Sequence, residues 1–238
     1  MTNNHPTRIY AIGDLHLPGG SDKPMHVFGP HWEGHFDKIA ADWTNRVNDN
    51  DIVLIPGDIS WAMQMQDAVP DLEAIGRLPG KKIIIRGNHD YWWGSISRLR
   101  SNLPVGMYAI QNDAVVLDDM VFCGSRGWML PNDETDHENR KIYQRELLRM
   151  ELSLQHARRL LPVGRLVVMI HYPPTDAIGS DSPMSILFEK YQVCDVVYGH
   201  LHGASNANAF VGSIHGVRYH PVSCDGLDFQ LYQLPSKA

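Results

Sequence analysis

The chain has 238 residues, of which 43% are hydrophobic and 20% charged, and its formal net charge is −6. This length can bury one substantial core, so we expect a single domain over residues 1–238. The acidic balance, without a Lys/Arg run longer than two residues, argues against binding to long nucleic acids. No apolar stretch approaches the ~20 residues that span a bilayer, so we expect no membrane association.

Two features bear on the cellular compartment. The first eight residues, MTNNHPTR, contain no apolar segment, so we expect no secretory signal. The cysteines are odd in number and show no CxxC spacing: Cys123, Cys194 and Cys224. Buried thiols in a reducing cytoplasm are the expected arrangement.

The first half of the chain alternates short apolar strands with helical segments. Strands are predicted at residues 9–12, 52–55 and 81–85, because these runs are too short and too apolar for helices. An amphipathic face at 36–47 predicts the first helix. A second helix is predicted at 67–77, with Pro70 in its first turn, and a short third one at 95–103.

The second half begins with a different pattern. Short strands at 108–110, 115–117 and 121–124 predict an antiparallel ribbon. Thr135 or Asp136 can cap a long helix, whose apolar stripe is Ile142, Leu147, Met150, Leu154, Ala157 and Leu161. Further strands are predicted at 166–170 and 193–198, with a short helix between them. The tail predicts short antiparallel strands at 209–211, 217–219 and 229–234. The pattern favours an α/β fold with two sheets between helical layers.

Polar residues follow five of the predicted strands directly. They are Asp14, His16, Asp58, Asn88, His89, Asp90, His171, His200 and His202. In open α/β sheets, ligands bind beyond the carboxyl ends of the strands. Residues i and i+2 of a strand point to the same side, so Asp14 with His16, and His200 with His202, can each direct two ligands to one place. A glycine precedes four of these residues and permits tight turns and close approach.

The donor set is rich in oxygen and imidazole nitrogen and contains no cysteine. It suits Mn, Fe, Zn, Co or Ni, of which we take manganese as the working assignment. Seven ligands are too many for one tetrahedral ion and suit two divalent metal ions that share a carboxylate. Two such ions and two aspartates leave a positive surplus, which favours an anionic phosphoester as the substrate.

These motifs resemble the calcineurin-like metallophosphoesterase superfamily. Its five blocks match Asp14-x-His16, Gly57-Asp58, Gly87-Asn88-His89-Asp90, His171 and Gly199-His200-x-His202, which span residues 13–203. The resemblance implies a four-layer α/β/β/α sandwich of two mixed sheets flanked by helices, with a dinuclear metal centre.

The resemblance also implies a role for each residue. One metal would be held by Asp14, His16 and His202. The other would be held by Asn88, His171 and His200, and Asp58 would bridge the two. A hydroxide bridging the metals would attack phosphorus in line. His89 would stabilise or protonate the leaving oxygen, and Asp90 would orient the His89 ring.

We expect the chain to hydrolyse a small-molecule phosphomonoester or phosphodiester. The alternatives are a nuclease or a cyclic-nucleotide phosphodiesterase of the same superfamily, and a non-catalytic protein-binding scaffold with this fold. Neither an acidic residue nor an arginine follows Gly57-Asp58, which argues against the protein Ser/Thr phosphatase branch. The diacylglucosamine pyrophosphate hydrolases usually carry arginine where this chain has His89.

Three residues near the motifs are candidates for substrate binding. Arg126 follows a predicted strand and could hold a phosphate through two hydrogen bonds, although a surface arginine is the alternative. Trp92 lies in an aromatic group beside the third motif and could stack on a ring, although these aromatics could equally pack the loops. Tyr172 follows His171 directly and could line the pocket.

Overall fold

A computed structural model describes residues 6–20, 23–132 and 134–236. Residues 1–5, which form most of the segment behind the expectation about a secretory signal, lie outside the described residues. Within the described part, no helix combines the length and apolarity that crossing a membrane requires.

The first sheet has five strands in the order β11-β1-β2-β3-β4. They are β1 (Ile9–Ala11), β2 (Ile52–Ile55), β3 (Lys81–Ile84), β4 (Met107–Ala109) and β11 (Tyr232–Gln233). Strands β1 to β4 are parallel to one another, and β11 pairs antiparallel with β1 at the edge.

The second sheet has six strands in the order β5-β6-β7-β8-β10-β9. They are β5 (Ala114–Leu117), β6 (Met120–Ser125), β7 (Arg165–Ile170), β8 (Asp195–Tyr198), β9 (Gly212–Ile214) and β10 (Val217–Pro221). Its four central strands are parallel, and both edge strands are antiparallel. Both sheets are therefore mixed.

In the described part of the chain, five α-helices cover the outer faces of the sheets. They are α1 (His35–Arg46), α2 (Met65–Gly76), α3 (Ile96–Arg100), α4 (His137–Leu160) and α5 (Pro183–Lys190). Asp136, one of the two predicted caps, is the N-cap of α4, and its carboxylate accepts a hydrogen bond from the Asn139 amide at 2.8 Å.

Three buried apolar clusters show how the layers are arranged. The central cluster joins the inner faces of the two sheets, for example Ile9 and Leu54 with Phe122 and Val167. A second cluster lies between the first sheet and helices α1 to α3. The third packs the second sheet against α4 and α5. The predicted α/β/β/α sandwich is confirmed.

Two local predictions about the fold are wrong. Strand β4 does not join an antiparallel ribbon, because it pairs parallel with β3 in the first sheet. Of the three strands predicted for the ribbon, β5 and β6 alone pair antiparallel. Helix α2 begins at Met65, so Pro70 lies inside the helix rather than in its first turn. Pro70 is exposed there, and its missing N–H removes one helical hydrogen bond.

Candidate metal centre

The loops that leave the parallel strands meet at one edge of the sandwich. The Asp14 amide donates to the Gly57 carbonyl, and the His16 amide donates to the Asp58 carbonyl, both at 3.0 Å. The Gly199 amide donates to the His171 carbonyl at 3.2 Å. The polar residues predicted at the strand ends are therefore brought together by backbone contacts between neighbouring exit loops.

The strand alternation predicted to aim Asp14 with His16, and His200 with His202, is wrong. The polar residues lie beyond the strands, since β1 ends at Ala11 and β8 ends at Tyr198. Four of them adopt left-handed backbone conformations, with φ of 59° at Asp14, 46° at His16, 52° at Asp58 and 76° at His200. Residues without a glycine's freedom rarely adopt such angles, and the strain is characteristic of functional sites. Tight turns, rather than strand alternation, aim these side chains.

Two of the predicted glycines leave room for the carboxylates. A Cβ at Gly87 would overlap Asp58 Oδ1, and a Cβ at Gly199 would overlap Asp14 Oδ2. Side chains at these positions would therefore displace Asp14 and Asp58. The prediction of close approach is confirmed here.

One cluster of potential ligand atoms comes from Asp14, His16 and His202, which offer atoms within 4.8 Å of one another. His16 Nε2 faces His202 Nε2 at 3.3 Å, and His202 Nε2 lies 3.5 Å from Asp14 Oδ1. Atoms that share a metal ion lie roughly 3–3.5 Å apart, because metal–ligand bonds are about 2.1 Å long.

A second cluster lies beside the first. His171 Nε2 is 2.7 Å from Asn88 Oδ1, and His200 Nδ1 is 3.0 Å from the same oxygen. Asp58 connects the clusters, since its Oδ2 lies 3.5 Å from His171 Nε2 and 3.9 Å from His16 Nε2. All seven predicted metal ligands are thus gathered at one place, with Asp58 in the middle.

The electrostatics of the site fit a pair of divalent cations. Burial and the charge of Asp14 raise the pKa of Asp58 to about 8. Burial lowers the pKa of His16 to about 3 and that of His200 to about 4, so these imidazoles are neutral, as metal ligands must be. Burial opposes protonation of His202, but its contacts with Asp14 and Asp225 raise its pKa to about 10. Without metal this ring is therefore the cation beside Asp14, and a bound divalent ion would replace its proton.

Asp225 belongs to the site but is not among the predicted residues. Its Oδ1 accepts a hydrogen bond from His202 Nδ1 at 2.9 Å, and its Oδ2 accepts one from the Gly203 amide at 2.7 Å. Asp225 therefore orients the His202 ring, as carboxylates commonly do for metal-binding histidines. The signal in the sequence is an Asp-Gly pair shortly after β10, which resembles the glycine and aspartate pairs at the other strand ends.

Asp90 has a different structural role from the expected one. Its buried carboxylate accepts hydrogen bonds from the amides of Gly87, Asp58 and Ile59 at 2.7–2.9 Å. No hydrogen bond joins it to the His89 imidazole in the part of the chain that the structure describes. The predicted orientation of His89 by Asp90 is thus not what the contacts show. Asp90 fixes the two exit loops that carry Asp58 and Asn88, and its catalytic role stays a prediction.

His89 stands at the rim of the metal centre. Its ring centroid lies 5.8 Å from that of His16 and 4.6 Å from that of Trp61. Its backbone amide donates to Asp58 Oδ1 at 2.8 Å. The imidazole is half-buried and makes no hydrogen bond to a described residue, so its nitrogen atoms are free to contact a ligand.

The three predicted substrate-binding residues differ in position. Trp92 is 3% exposed, and its indole donates a hydrogen bond to the Asp90 carboxylate at 3.0 Å. It therefore packs inside the loop that follows β3. Tyr172 is also buried, and its ring lies 4.1 Å from that of His200. Arg126 lies over the Trp128 ring at 4.8 Å and is partly exposed. Substrate binding by all three stays a prediction.

Comparisons with known proteins agree with this geometry. The family model described as calcineurin-like phosphoesterase matches residues 7–204. The chain therefore belongs to the calcineurin-like phosphoesterase family. Membership of this family makes it a metal-dependent phosphoester hydrolase in general. No curated protein matches the chain.

Solved structures share the fold at low sequence identity. Phosphopantetheinyl hydrolase from Mycobacterium tuberculosis is 15% identical, with 97% of this chain and 96% of that one covered and a TM-score of 0.57. The protein TT1561 of Thermus thermophilus is 13% identical, with 95% and 97% covered and a TM-score of 0.54. These similarities concern the fold alone.

Proposed function

We propose that this protein hydrolyses the phosphoester bond of a small organic molecule at a centre of two divalent metal ions, with manganese as the working assignment. Asp14, His16 and His202 would hold one ion. The other ion would be held by Asn88, His171 and His200, and Asp58 would bind both ions. The observation that carries the proposal is that all seven side chains converge, with Asp58 Oδ2 within 4 Å of a histidine from each cluster.

Bound divalent ions would polarise the phosphoryl group and supply a nucleophile at neutral pH. The chain itself would orient the metal ligands and donate a proton. Asp225 fixes the ring of His202, and the Pro56 carbonyl accepts from His171 Nδ1 at 3.0 Å, which leaves His171 Nε2 facing the centre. His89 lines the cavity beside the centre and would donate a hydrogen bond to the leaving oxygen as a general acid.

An apolar cavity beside the centre fits the organic part of a substrate. The cavity has a volume of about 290 Å³ and is lined by Trp32, Trp61, Met25 and Phe28 as well as by His16, His89 and His202. The Trp61 ring stacks on His16 at 4.7 Å, and Lys23 Nζ lies 5.0 Å from the same ring. Aromatic walls next to the metal ligands favour a phosphoester with an apolar or aromatic group.

The remaining parts of the proposal concern location and partners. The three cysteines are free, as in a protein of the reducing cytoplasm. The proposed partner is a small molecule rather than a long nucleic acid, because the formal charge is −6 and the cavity is apolar.

The test is an assay of the manganese-loaded protein on p-nitrophenyl phosphate, bis-p-nitrophenyl phosphate, cyclic nucleotides and a phosphopantetheinyl ester. We expect hydrolysis of at least one, and the preferred substrate separates monoesterase from diesterase. Asp58→Ala should be inactive on all of them, because it removes the residue that contacts both clusters. A wild-type protein that binds metal but cleaves none, or an Asp58→Ala variant as active as wild type, would refute the proposal.

A further inference from the structure

A second cavity, rich in arginine, adjoins the metal centre and is not used by the function proposed above. Its volume is about 310 Å³. The lining residues that matter here are Arg86, Arg126, Arg145, Arg149, Glu146 and Ser125. We call it the arginine pocket.

The arginine pocket carries an excess of positive charge. Glu146 on α4 is 1% exposed and is the acidic residue of the lining. It lies 2.6 Å from Arg149, 3.9 Å from Arg145 and 4.0 Å from Arg126. The lining holds one carboxylate and four guanidinium groups, three of which lie within 4.0 Å of that carboxylate. About three positive charges therefore remain without an acidic partner in the lining. Such a surplus is unusual in a chain with a formal charge of −6 and favours an anionic ligand.

Two polar groups of the pocket have no partner in the described structure. Ser125 is 2% exposed, and its hydroxyl makes no hydrogen bond. The Nε atom of Arg86 is buried and unpartnered as well, and Arg86 forms no side-chain hydrogen bond or ion pair with a described residue. Buried polar groups without partners destabilise the folded chain, so a ligand that accepts hydrogen bonds from them is favoured.

Two elements of the pocket are directly connected to the metal centre. The Arg126 carbonyl accepts hydrogen bonds from the amides of His171 at 3.1 Å and Tyr172 at 3.2 Å. Arg86 precedes Asn88 by two residues, a separation of at most about 7 Å along the backbone. A small molecule could therefore place one group at the metal centre and another in the arginine pocket.

We infer that the arginine pocket binds a second phosphate group of the substrate, so that the substrate carries two phosphates. This inference rests on the proposed function. A dianionic phosphate accepts several hydrogen bonds at once and matches the paired N–H groups of guanidinium. A ligand carboxylate would neutralise only one of the positive charges that Glu146 leaves in the pocket, whereas a phosphate dianion would neutralise two.

Binding measured by calorimetry tests the inference without requiring turnover. Adenosine 3′,5′-bisphosphate and adenosine 5′-monophosphate are titrated into the metal-loaded protein. We expect wild type to prefer the bisphosphate at least ~10-fold, which corresponds to about 1.4 kcal/mol for one additional charge-assisted contact. In Arg86→Gln the ratio should fall to near one, whereas Arg86→Lys should keep part of it.

Two further variants control for charge and folding. Arg77→Gln removes the same charge from the end of α2, where Arg77 is 72% exposed, and should keep the preference. Arg145→Gln removes one positive charge at the exposed rim of the pocket and should reduce the preference for the bisphosphate. Arg86→Gln should unfold at the wild-type temperature, because Arg86 makes no side-chain hydrogen bond or ion pair with a described residue that the substitution would remove.

The outcomes separate this inference from the proposed function. Equal wild-type affinity for the two nucleotides, or an unchanged preference in Arg86→Gln, would overturn it. Binding of inorganic phosphate in the arginine pocket without any bisphosphate preference would assign the pocket to free phosphate and would also overturn it. If the bisphosphate preference depends on Arg86 but no phosphoester is cleaved, the pocket stands and the hydrolase proposal fails.

Discussion

At the scale of single residues, the contacts of His89 differ from those of the predicted metal ligands. Its imidazole faces the apolar cavity and makes no hydrogen bond to a described residue, whereas the rings of His171 and His202 are held by the Pro56 carbonyl and Asp225. A histidine that only assists the leaving group should affect the rate without affecting metal binding.

We therefore expect His89→Ala to lower kcat by about 10²–10⁴-fold, the usual range for acid–base assistance, with metal content equal to wild type. Steady-state kinetics and elemental analysis of the same preparation measure both. His215→Ala is the control, since His215 is an exposed histidine paired with Asp181, and it should change neither. Loss of metal in His89→Ala would show that His89 is a ligand.

Asp225 offers a second prediction at this scale. Asp225→Asn should weaken metal binding by about 10–100-fold, because the carboxylate that orients His202 is lost. Asp181→Asn is a matched control: Asp181 also accepts from a histidine at 2.9 Å, but at an exposed position and away from the metal ligands. Titration with Mn²⁺ measures the affinity. Equal affinities for the two variants would contradict a positioning role for Asp225.

At the scale of elements, the exit loops determine where the ligands lie. Gly87 and Gly94 both follow β3, yet a Cβ at Gly87 would overlap Asp58, while a Cβ at Gly94 would meet nothing within 4 Å. The loop thus contains one glycine that the site requires and one that it does not.

Gly87→Ala should lower metal affinity and destabilise the fold by about 1–3 kcal/mol, the typical cost of overpacking. Gly94→Ala should leave both near wild type. Chemical unfolding and Mn²⁺ titration are the measurements. If Gly87→Ala bound metal as tightly as Gly94→Ala, the close approach of the loops would not be needed for the site.

Strands β7, β8 and β10 are joined by a buried ionic network away from the metal ligands. Asp195 accepts from Arg165 at 2.8 Å, from Arg218 at 2.7 Å and from His220 at 3.0 Å. Burial opposes its ionisation, but the hydrogen bonds from His220 and Arg218 and the charge of Arg165 outweigh burial and hold the pKa of Asp195 below its usual range.

Asp195→Asn should lower the free energy of unfolding by about 3–5 kcal/mol at pH 7, because it leaves the buried Arg165 guanidinium without its carboxylate. The folded state binds fewer protons than the unfolded chain at this group. The difference from wild type should therefore persist above the ordinary aspartate pKa of about 4 and shrink as the pH falls below it. Urea unfolding from pH 7 to pH 3 measures this, and a difference independent of pH would contradict it.

The elements that the sequence predicts best are those with one dominant signal. The five apolar strand runs can be identified because apolar segments of this length are too short for helices, and the polar residues that follow them form the site. The partner of β4 could not be predicted, because short strands with turn residues between them fit a ribbon as well as a sheet edge. Asp225 comes from the tail, and its approach to His202 depends on β10 lying parallel to β8.

At the scale of the whole molecule, the two sheets have complementary roles. The first supplies Asp14, Asp58 and Asn88, and the second supplies His171 and His200. The proposed metal centre would therefore form only when both sheets pack on their shared apolar core. This packing holds together two carboxylates and several histidines that would otherwise separate into water. Bound metal should in turn stabilise the folded chain, because a ligand that binds only the folded state shifts the folding equilibrium toward that state.

The number of divalent ions bound per folded chain decides whether the two ligand clusters form a dinuclear centre. The measurement is a Mn²⁺ titration of protein first depleted of metal by a chelator, with Asp58→Ala in parallel. We expect two ions per wild-type chain and the loss of both in Asp58→Ala, since Asp58 contacts both ligand clusters. A wild-type protein that binds no ion, or an Asp58→Ala variant that still binds two, would contradict it.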